Sequence, residues 1–540
     1  MQIAKVSSKQ FFALLVKHLE SENVVWLAGA GLSMTPPCSL PSGPDIKDLA
    51  VGSICRTAQL KRYWELIRPS SKYTNIVPEV IFQRLYECLG SRLFPFFDIL
   101  RFAVSNLNHQ VLASVCTLKR SPILTTNFDL LIDQHVASED SIVHLHGDIA
   151  NVEQMTVTIN RVGKGLQIDL AKNMKRLVGS RALCIIGYSG NDNDIRRAIV
   201  SSGAASILWL ARDWADPVMK NLTFLKQFPG IIFLTKWDLE RLFRDLRRQY
   251  DVVRPSVRSR SMSQKRRSVL AGWSRGLSMA DRYSCISKLF IDLEEYELAV
   301  ETSEKGFLVA ESNRRGWFKN QSAFAMRMVG DFRKFTKLAN EAIRHNHAES
   351  NQLGLAMAYN LLGLSKLEKR QPEPKKATPV FRKAIAILQK QDGSLRLKRS
   401  ESNQVLLSQI LNNLGLSLRH EGKEDLALRA YRRSLKLKKN TGDLIGYSQT
   451  CINISLLYYR RRNFKLAYSW RRKALDLIRK YDLIFQEAYL MREMGSAACE
   501  QGRLKAGHGL LHGALRKYEQ IETSSFGIIL TRRILNHFHA

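Results

Sequence analysis

Four short segments in the first 190 residues combine glycine with amide, carboxylate, hydroxyl and imidazole side chains. Gly29-Ala30-Gly31-Leu32-Ser33 follows the apolar run Val24-Val25-Trp26-Leu27-Ala28. Glycines after a strand let the backbone approach a pyrophosphate, whose charge faces amide N–H groups. Leu40-Pro41-Ser42-Gly43-Pro44-Asp45 comes shortly after and could form a loop over a bound dinucleotide. Thr125-Thr126-Asn127-Phe128-Asp129 ends a second run. Asn and Asp there sit where open α/β sheets bind ligands. The plainer reading is that Asn127 or Asp129 caps the next helix. His144-Leu145-His146-Gly147-Asp148 closes a third run, and strand alternation places both imidazoles on one face. His146 is a candidate general base; a lone histidine is otherwise structural. Gly187-Tyr188-Ser189-Gly190-Asn191-Asp192 follows a fourth run, a turn fit for a ribose or phosphate.

The elements that must position these segments are legible over residues 1–250. Apolar or β-branched runs at 24–28, 122–126, 141–145, 182–186, 205–210 and 231–234 alternate with helix-length amphipathic stretches. Uninterrupted apolar strands between helices predict a parallel sheet covered on both faces, an α/β doubly wound, Rossmann-like domain. The first twenty residues read as a short amphipathic helix, not a secretory signal. Residues 251–270 are Ser- and Arg-rich and read as an exposed basic linker, or as a basic arm on a phosphate backbone. From 271 to 540 the texture is helical. Leu414-Gly415 leads to Ala427, Tyr431 and Ser434. Forty positions on, Ile454-Ser455 leads to Ala467, Arg471 and Ala474, and forty further on Met494-Gly495 leads to Gly507, Leu511 and Ala514. This resembles the tetratricopeptide pattern, stretched beyond that repeat's period of about 34 by longer helices. Such arrays form a groove that usually binds a peptide or protein; the competing reading is a plain helical bundle.

Length, composition and charge bound the class. The 540 residues are 45% hydrophobic and 24% charged, with 31 Gly and 14 Pro, which excludes a collagen-like or wholly disordered chain. No apolar run is long enough for a membrane span. The net charge of +34 is uneven: residues 1–250 hold 30 Lys and Arg against 22 Asp and Glu, and residues 251–540 hold 53 against 27. The basic half would attract a polyanion, nucleic acid among them, or is simply a solvated basic surface. The 8 cysteines include no Cys-x-x-Cys pair and read as the reduced thiols of a cytoplasmic protein.

Taken in order, Gly29–Ser33, Thr125–Asp129, His146-Gly147 and Gly187–Ser189 resemble the motif series of the sirtuin family over roughly residues 10–240. The resemblance implies NAD+ as ligand. Gly29, Ala30, Gly31 and Ser33 would hold its pyrophosphate. Thr126, Asn127 and Asp129 would lie near the nicotinamide and its ribose. His146 would be the catalytic histidine, and Gly187 and Ser189 would contact the adenosine side. Asp45 stands where the family has the Asp of a Pro-Asp-Phe loop, but Ile46 follows it. Protein-deacylating sirtuins carry a four-cysteine zinc module between the third and fourth motifs. Here 39 residues separate Gly147 from Gly187, and Cys184 is the sole cysteine among them. No metal is therefore expected, and water becomes the acceptor in place of acyl-lysine. That make-up is similar to the sirtuin-like NAD+ hydrolases of antiphage defence. It implies an abortive-infection effector with catalytic residues Asn127 and His146, a repeat domain that senses a phage protein, and homo-oligomerisation. The alternatives are transfer of ADP-ribose or acyl groups to protein, or an NAD-sensing protein without turnover.

Overall fold

The structure is a computed structural model that describes residues 2–136, 138, 141–190, 192–211, 225, 228–252, 263–369, 371–390, 401–480, 484–520 and 525–539. The chain divides into two compact units, Met1–Leu277 and Ser278–Ala540.

Among the described residues the first unit holds seven parallel strands: β1 (Gln2–Lys5), β2 (Val24–Ala28), β3 (Ile123–Thr125), β4 (Ile142–His144), β5 (Ala182–Ile186), β6 (Ser206–Ala211) and β7 (Ile231–Lys236). Their order is β1-β7-β6-β5-β2-β3-β4. The chain winds outward from β2 through β3 and β4, then returns to the other side of β2 through β5, β6 and β7. The direction of winding therefore reverses between β2 and β5, the crevice where open α/β sheets bind ligands. Both faces are covered, as the unbroken apolar strands predicted. Val24, Trp26 and Ala28 pack with Phe11 and Leu15 of helix Ser8–Glu20 and with Val111 and Val115 of helix Leu107–Leu118. Val25 and Leu27 pack on the opposite side with Met174 and Val178 of helix Ile168–Val178.

Two sequence expectations need correction here. The first twenty residues are not one helix: Gln2–Lys5 pairs with β7 in register Gln2 to Ile231, and the helix starts only at Ser8. A four-residue edge strand has too few positions to declare a period of two. The basic linker is also shorter than expected. Residues 253–262 lie outside the described residues, but Ser263–Arg275 is a helix fixed to the first unit. Trp273 anchors it: the indole Nε1 donates to the Arg92 carbonyl at 2.8 Å, and its ring lies 5.0 Å from that of Phe96. The Ser and Arg at the start of the segment masked that amphipathic face.

The second unit is a run of helical hairpins. Among the described residues six pairs, from Met279–Asp292 with Tyr296–Val309 to Ile484–Glu500 with Leu504–Gln520, precede a last helix, Ser525–His539. Helices of 17 residues begin at 444, 464, 484 and 504, which produces the forty-residue period. The recurring glycines are seats for the partner helix. A Cβ on Gly363 would come within 2.5 Å of Phe381, on Gly415 within 2.6 Å of Tyr431, and on Gly495 within 2.7 Å of Leu511. No helix among the described residues is long and apolar enough to cross a membrane. All eight cysteines are buried and free.

Candidate functional site

All four segments leave the carboxyl edge of the sheet, around its point of reversal. Gly29–Ser33 follows β2, Thr126–Asp129 follows β3, His146 lies just beyond β4, and Gly187–Ser189 follows β5.

The two glycine turns lock onto each other. Gly29 N–H donates to the Ile186 carbonyl at 3.0 Å, and Gly31 N–H to the Gly187 carbonyl at 2.8 Å. A Cβ on Gly29 or Gly31 would meet the Gly187–Tyr188 backbone at 2.7 to 2.8 Å. These contacts show which backbone groups the turns already use. The Gly29 and Gly31 amides donate inward, Leu32 N–H donates to Gly29, and only a four-residue 3₁₀ turn, Ala30–Ser33, follows β2. The glycines serve first to let two turns touch. The surface left for a ligand is exposed Ala30, half-buried Gly31, Thr126 and Gly187, and exposed Ser189.

Ser33 is the hub of a buried network. Its hydroxyl donates to Asp129 Oδ2 at 2.9 Å and accepts from Asn127 Nδ2 at 3.2 Å. His109 Nδ1 accepts from the Asn106 backbone N–H at 3.1 Å, so its proton sits on Nε2, which donates to Ser33 Oγ at 2.9 Å. Burial, with His135 nearby, holds His109 neutral by lowering it to about 3. Three bonds use the hydroxyl's full capacity, so in this structure Ser33 serves the network that holds Asn127 and Asp129. Asp129 is likewise committed: its Oδ1 accepts from Leu131 N–H at 3.2 Å, and burial raises its pKa although the Ser33 and Leu131 hydrogen bonds pull the other way. The network also fixes the Asn127 amide. Ser33 can only accept from it, so Nδ2 points there, and Asn127 Oδ1 is left buried with no hydrogen-bond partner. His109 and Asn106 were missed from sequence. Their signal was an Asn-x-x-His capping box before the helix Leu107–Leu118.

His146 belongs to a second, acidic cluster. Its Nε2 lies 3.0 Å from Asp194 Oδ2, and both side chains are buried. Burial opposes the charged ring, but the Asp194 hydrogen bond and the carboxylates of Asp192, Asp194 and Glu79 outweigh it and raise the pKa. Glu79 is itself pushed up to about 7, by desolvation first and then by Asp192. Asp194 Oδ1 is buried without a partner. His144 is separate. It bonds the Asn127 carbonyl through Nδ1 at 3.0 Å and Asp133 through Nε2 at 3.1 Å. The two histidines therefore do not act as a pair. Asn127 and His146 each lie two residues past the registered pair Thr125 and His144. The structure brings them to one edge but ties them to different partners, with the Phe128 ring 6.5 Å from that of His146. Glu79 and Asp194 carried no motif, and only the fold places them here. Asn191 lies outside the described residues.

Asp45 caps a helix in place of the expected ligand contact. Its Oδ2 accepts from the Ser42 hydroxyl at 2.5 Å and the Ser42 N–H at 3.2 Å, the capping box of helix Gly43–Ile54. Asp45→Ala is expected to cost about 1 kcal/mol in thermal unfolding; an unchanged melting temperature would show that the box adds nothing to the helix start. Cys184 lies in the core of β5, fully buried. Among the described residues no group of three or more His, Cys, Asp or Glu is placed to hold a metal ion.

No family model and no curated protein matches the chain. Solved structures with partial likeness include the apo form of RapI, with 12% identity and a TM-score of 0.38 over 48% of this chain and 92% of that one. The Rap conjugation gene regulator of plasmid pLS20 with the Phr* peptide has 13% identity and a TM-score of 0.41 over 62% and 96%. A STAND protein with a tetratricopeptide repeat sensor from Pyrococcus horikoshii has 12% identity and a TM-score of 0.32 over 96% and 84%. At such scores the fold rests on its own geometry.

Proposed function

We propose that the first unit is an NAD+ glycohydrolase, releasing nicotinamide and ADP-ribose, and that the helical repeats gate it as the sensor of an antiphage effector. The observation that carries the reading is the convergence of all four segments on the point where the sheet reverses, with the Asn127 amide oxygen buried there and unsatisfied. A buried acceptor without a donor is costly, roughly 1–3 kcal/mol. A carboxamide N–H or a ribose hydroxyl of a dinucleotide would satisfy it.

The bond to be cleaved joins C1′ of the ribose to a pyridinium nitrogen. Its electrons leave with neutral nicotinamide, and the sugar passes through an oxocarbenium-like state that water captures at C1′. The protein has to orient the ribose and relieve the water of a proton. His146 suits the proton transfer, because Asp194 holds Nε2 and leaves Nδ1 to take the proton. Only the neutral ring can do so. Because the carboxylates raise its pKa, turnover should rise with pH through a transition above the ordinary histidine value of 6.5. Asp194→Asn should move that transition to lower pH. A flat profile between pH 5 and 9 would count against His146 as the base.

The deciding assay incubates the purified full chain with NAD+, with and without phage lysate, and follows nicotinamide by chromatography. Asn127→Ala should remove most turnover; unchanged turnover in that variant would unseat the site. A second reading, NAD+ binding without turnover, draws on the separate ties of the two candidate catalytic side chains, Asn127 to Ser33 and His146 to Asp194. Tight binding with no product over hours would favour it.

A further inference from the structure

An apolar cavity opens on the second unit. It lies among helices Leu444–Arg460, Phe464–Lys480 and Ile484–Glu500 and measures about 220 Å³. Leu456, Tyr459, Phe464, Tyr468, Arg471 and Met494 line it. Phe464 and Tyr468 are more than half exposed, at 54% and 58%, an unusual placement for two aromatic rings on one helix. An enclosed apolar cavity of roughly 150 Å³ already accepts a benzene ring, so this one has room for a phenyl or leucyl side chain.

Charge supplies the second half of the argument. Between Tyr459 and Lys473 there are seven basic residues and no acidic one. Arg460 and Arg461 are neutralised by Glu500, Glu424 and Asp425. Arg462, Lys465, Arg471, Arg472 and Lys473 have no carboxylate partner among the described residues. Arg471 stands at the cavity itself. Its guanidinium lies over the Tyr468 ring at 5.3 Å, its Nη1 reaches only the Met494 sulfur at 3.8 Å, and its Nε is buried with no hydrogen-bond partner. A guanidinium so placed lacks the bidentate oxygen acceptor it is shaped for.

We propose that this cavity is the docking site for an acidic peptide segment, which inserts one large apolar side chain between Phe464, Tyr468 and Met494 and pairs a neighbouring carboxylate with Arg471. The walls favour a peptide over a single-stranded nucleic acid. The Tyr459 and Phe464 rings meet edge to face at 73°, so they form no parallel platform for a base, and an apolar pocket leaves the polar edges of a base unpaired. The proposal rests on the sensing role given above to the repeats only for the consequence of docking, not for docking itself.

The test uses the full chain and fluorescence anisotropy, with a short labelled peptide carrying one Phe among Asp and Glu. Saturable, salt-sensitive binding is expected, weakened at least tenfold by Arg471→Gln, by Tyr468→Ala, and by Ala in place of the peptide's Phe. Thermal unfolding confirms that both variants remain folded; Tyr468 is exposed enough for its loss to be mild. No binding of this peptide, or binding indifferent to Arg471→Gln and to the peptide's Phe, overturns the proposal. So does tighter, Arg471-dependent binding of a labelled single-stranded oligonucleotide. NAD+ turnover is then measured on the same samples with and without peptide. Binding without any turnover would leave the docking site standing and remove the hydrolase reading.

Discussion

His146→Gln should lower nicotinamide release by roughly 10²–10⁴-fold, the range lost with a general base, while the protein stays folded. Glutamine is chosen over alanine for a physical reason. Asp194 is buried against the ring, with a side chain only 2% exposed. Truncation to alanine would strand that carboxylate, and removing one member of a buried charged pair costs about 3–5 kcal/mol. A fall in turnover would then be inseparable from unfolding. The glutamine amide can still donate to Asp194 Oδ2 but cannot accept a proton at working pH. Glutamine activity within threefold of the parent, with an unchanged melting temperature, would make His146 a structural residue and sink the assigned mechanism. Asp194→Asn gives the complementary readout. It keeps a hydrogen bond to the imidazole and removes the charge, so its effect should concentrate in the pH profile rather than in stability.

The sheet could be read from the chain because its strands are buried on both faces. Val24–Ala28 and Ala182–Ile186 are unbroken apolar runs with turns behind them, and each became a strand of that length. The repeats were legible for a different reason: a small residue opposite a bulky side chain is a steric requirement, and Gly415 and Gly495 recur at the same place in their hairpins, seated against Tyr431 and Leu511. The edge strand Gln2–Lys5 was hidden because pairing to β7, not any local pattern, makes it a strand. The site divides along the same line. Motif positions fell together because each follows a strand, and all strands of a parallel sheet end at one edge. The partners of those residues were not legible. Nothing in the order of residues links His109 to Ser33 across 76 positions or Asp194 to His146 across 48. Charge patterns within a segment predict its surface, not its distant neighbours. The roles of Gly29, Gly31 and Asp45 show the converse: glycines and a carboxylate that could serve a ligand are first occupied by the fold, in a turn-to-turn contact and a helix cap.

Gly187→Ala should be among the most damaging single-methyl substitutions in the first unit, because two costs fall on one residue. Its φ is +59°, in the left-handed region that costs a side-chain-bearing residue about 1–2 kcal/mol. The new Cβ would also meet Leu32 N at 2.8 Å and Gly29 O at 3.1 Å. Both are backbone atoms, which cannot swing aside as a side chain can, and such overpacking adds about 1–3 kcal/mol. Gly90 is the reference for a backbone cost without a clash. Its φ is +58° and its ψ −137°, a pairing that also disfavours a side chain, but a Cβ there meets nothing within 4 Å. Gly187→Ala should therefore lower the melting temperature beyond Gly90→Ala, by roughly a further 2–12 °C from the added overpacking at about 2–4 °C per kcal/mol for a domain of this size. It should also displace the Gly29–Ser33 turn, and with it Asn127, which hangs from Ser33. Loss of NAD+ affinity in Gly187→Ala, with affinity kept in Gly90→Ala, would tie that turn-to-turn contact to the ligand. Equal melting temperatures in the two variants would show that the turns can part without penalty, and the site would lose the rigidity that its pairing of β2 and β5 provides.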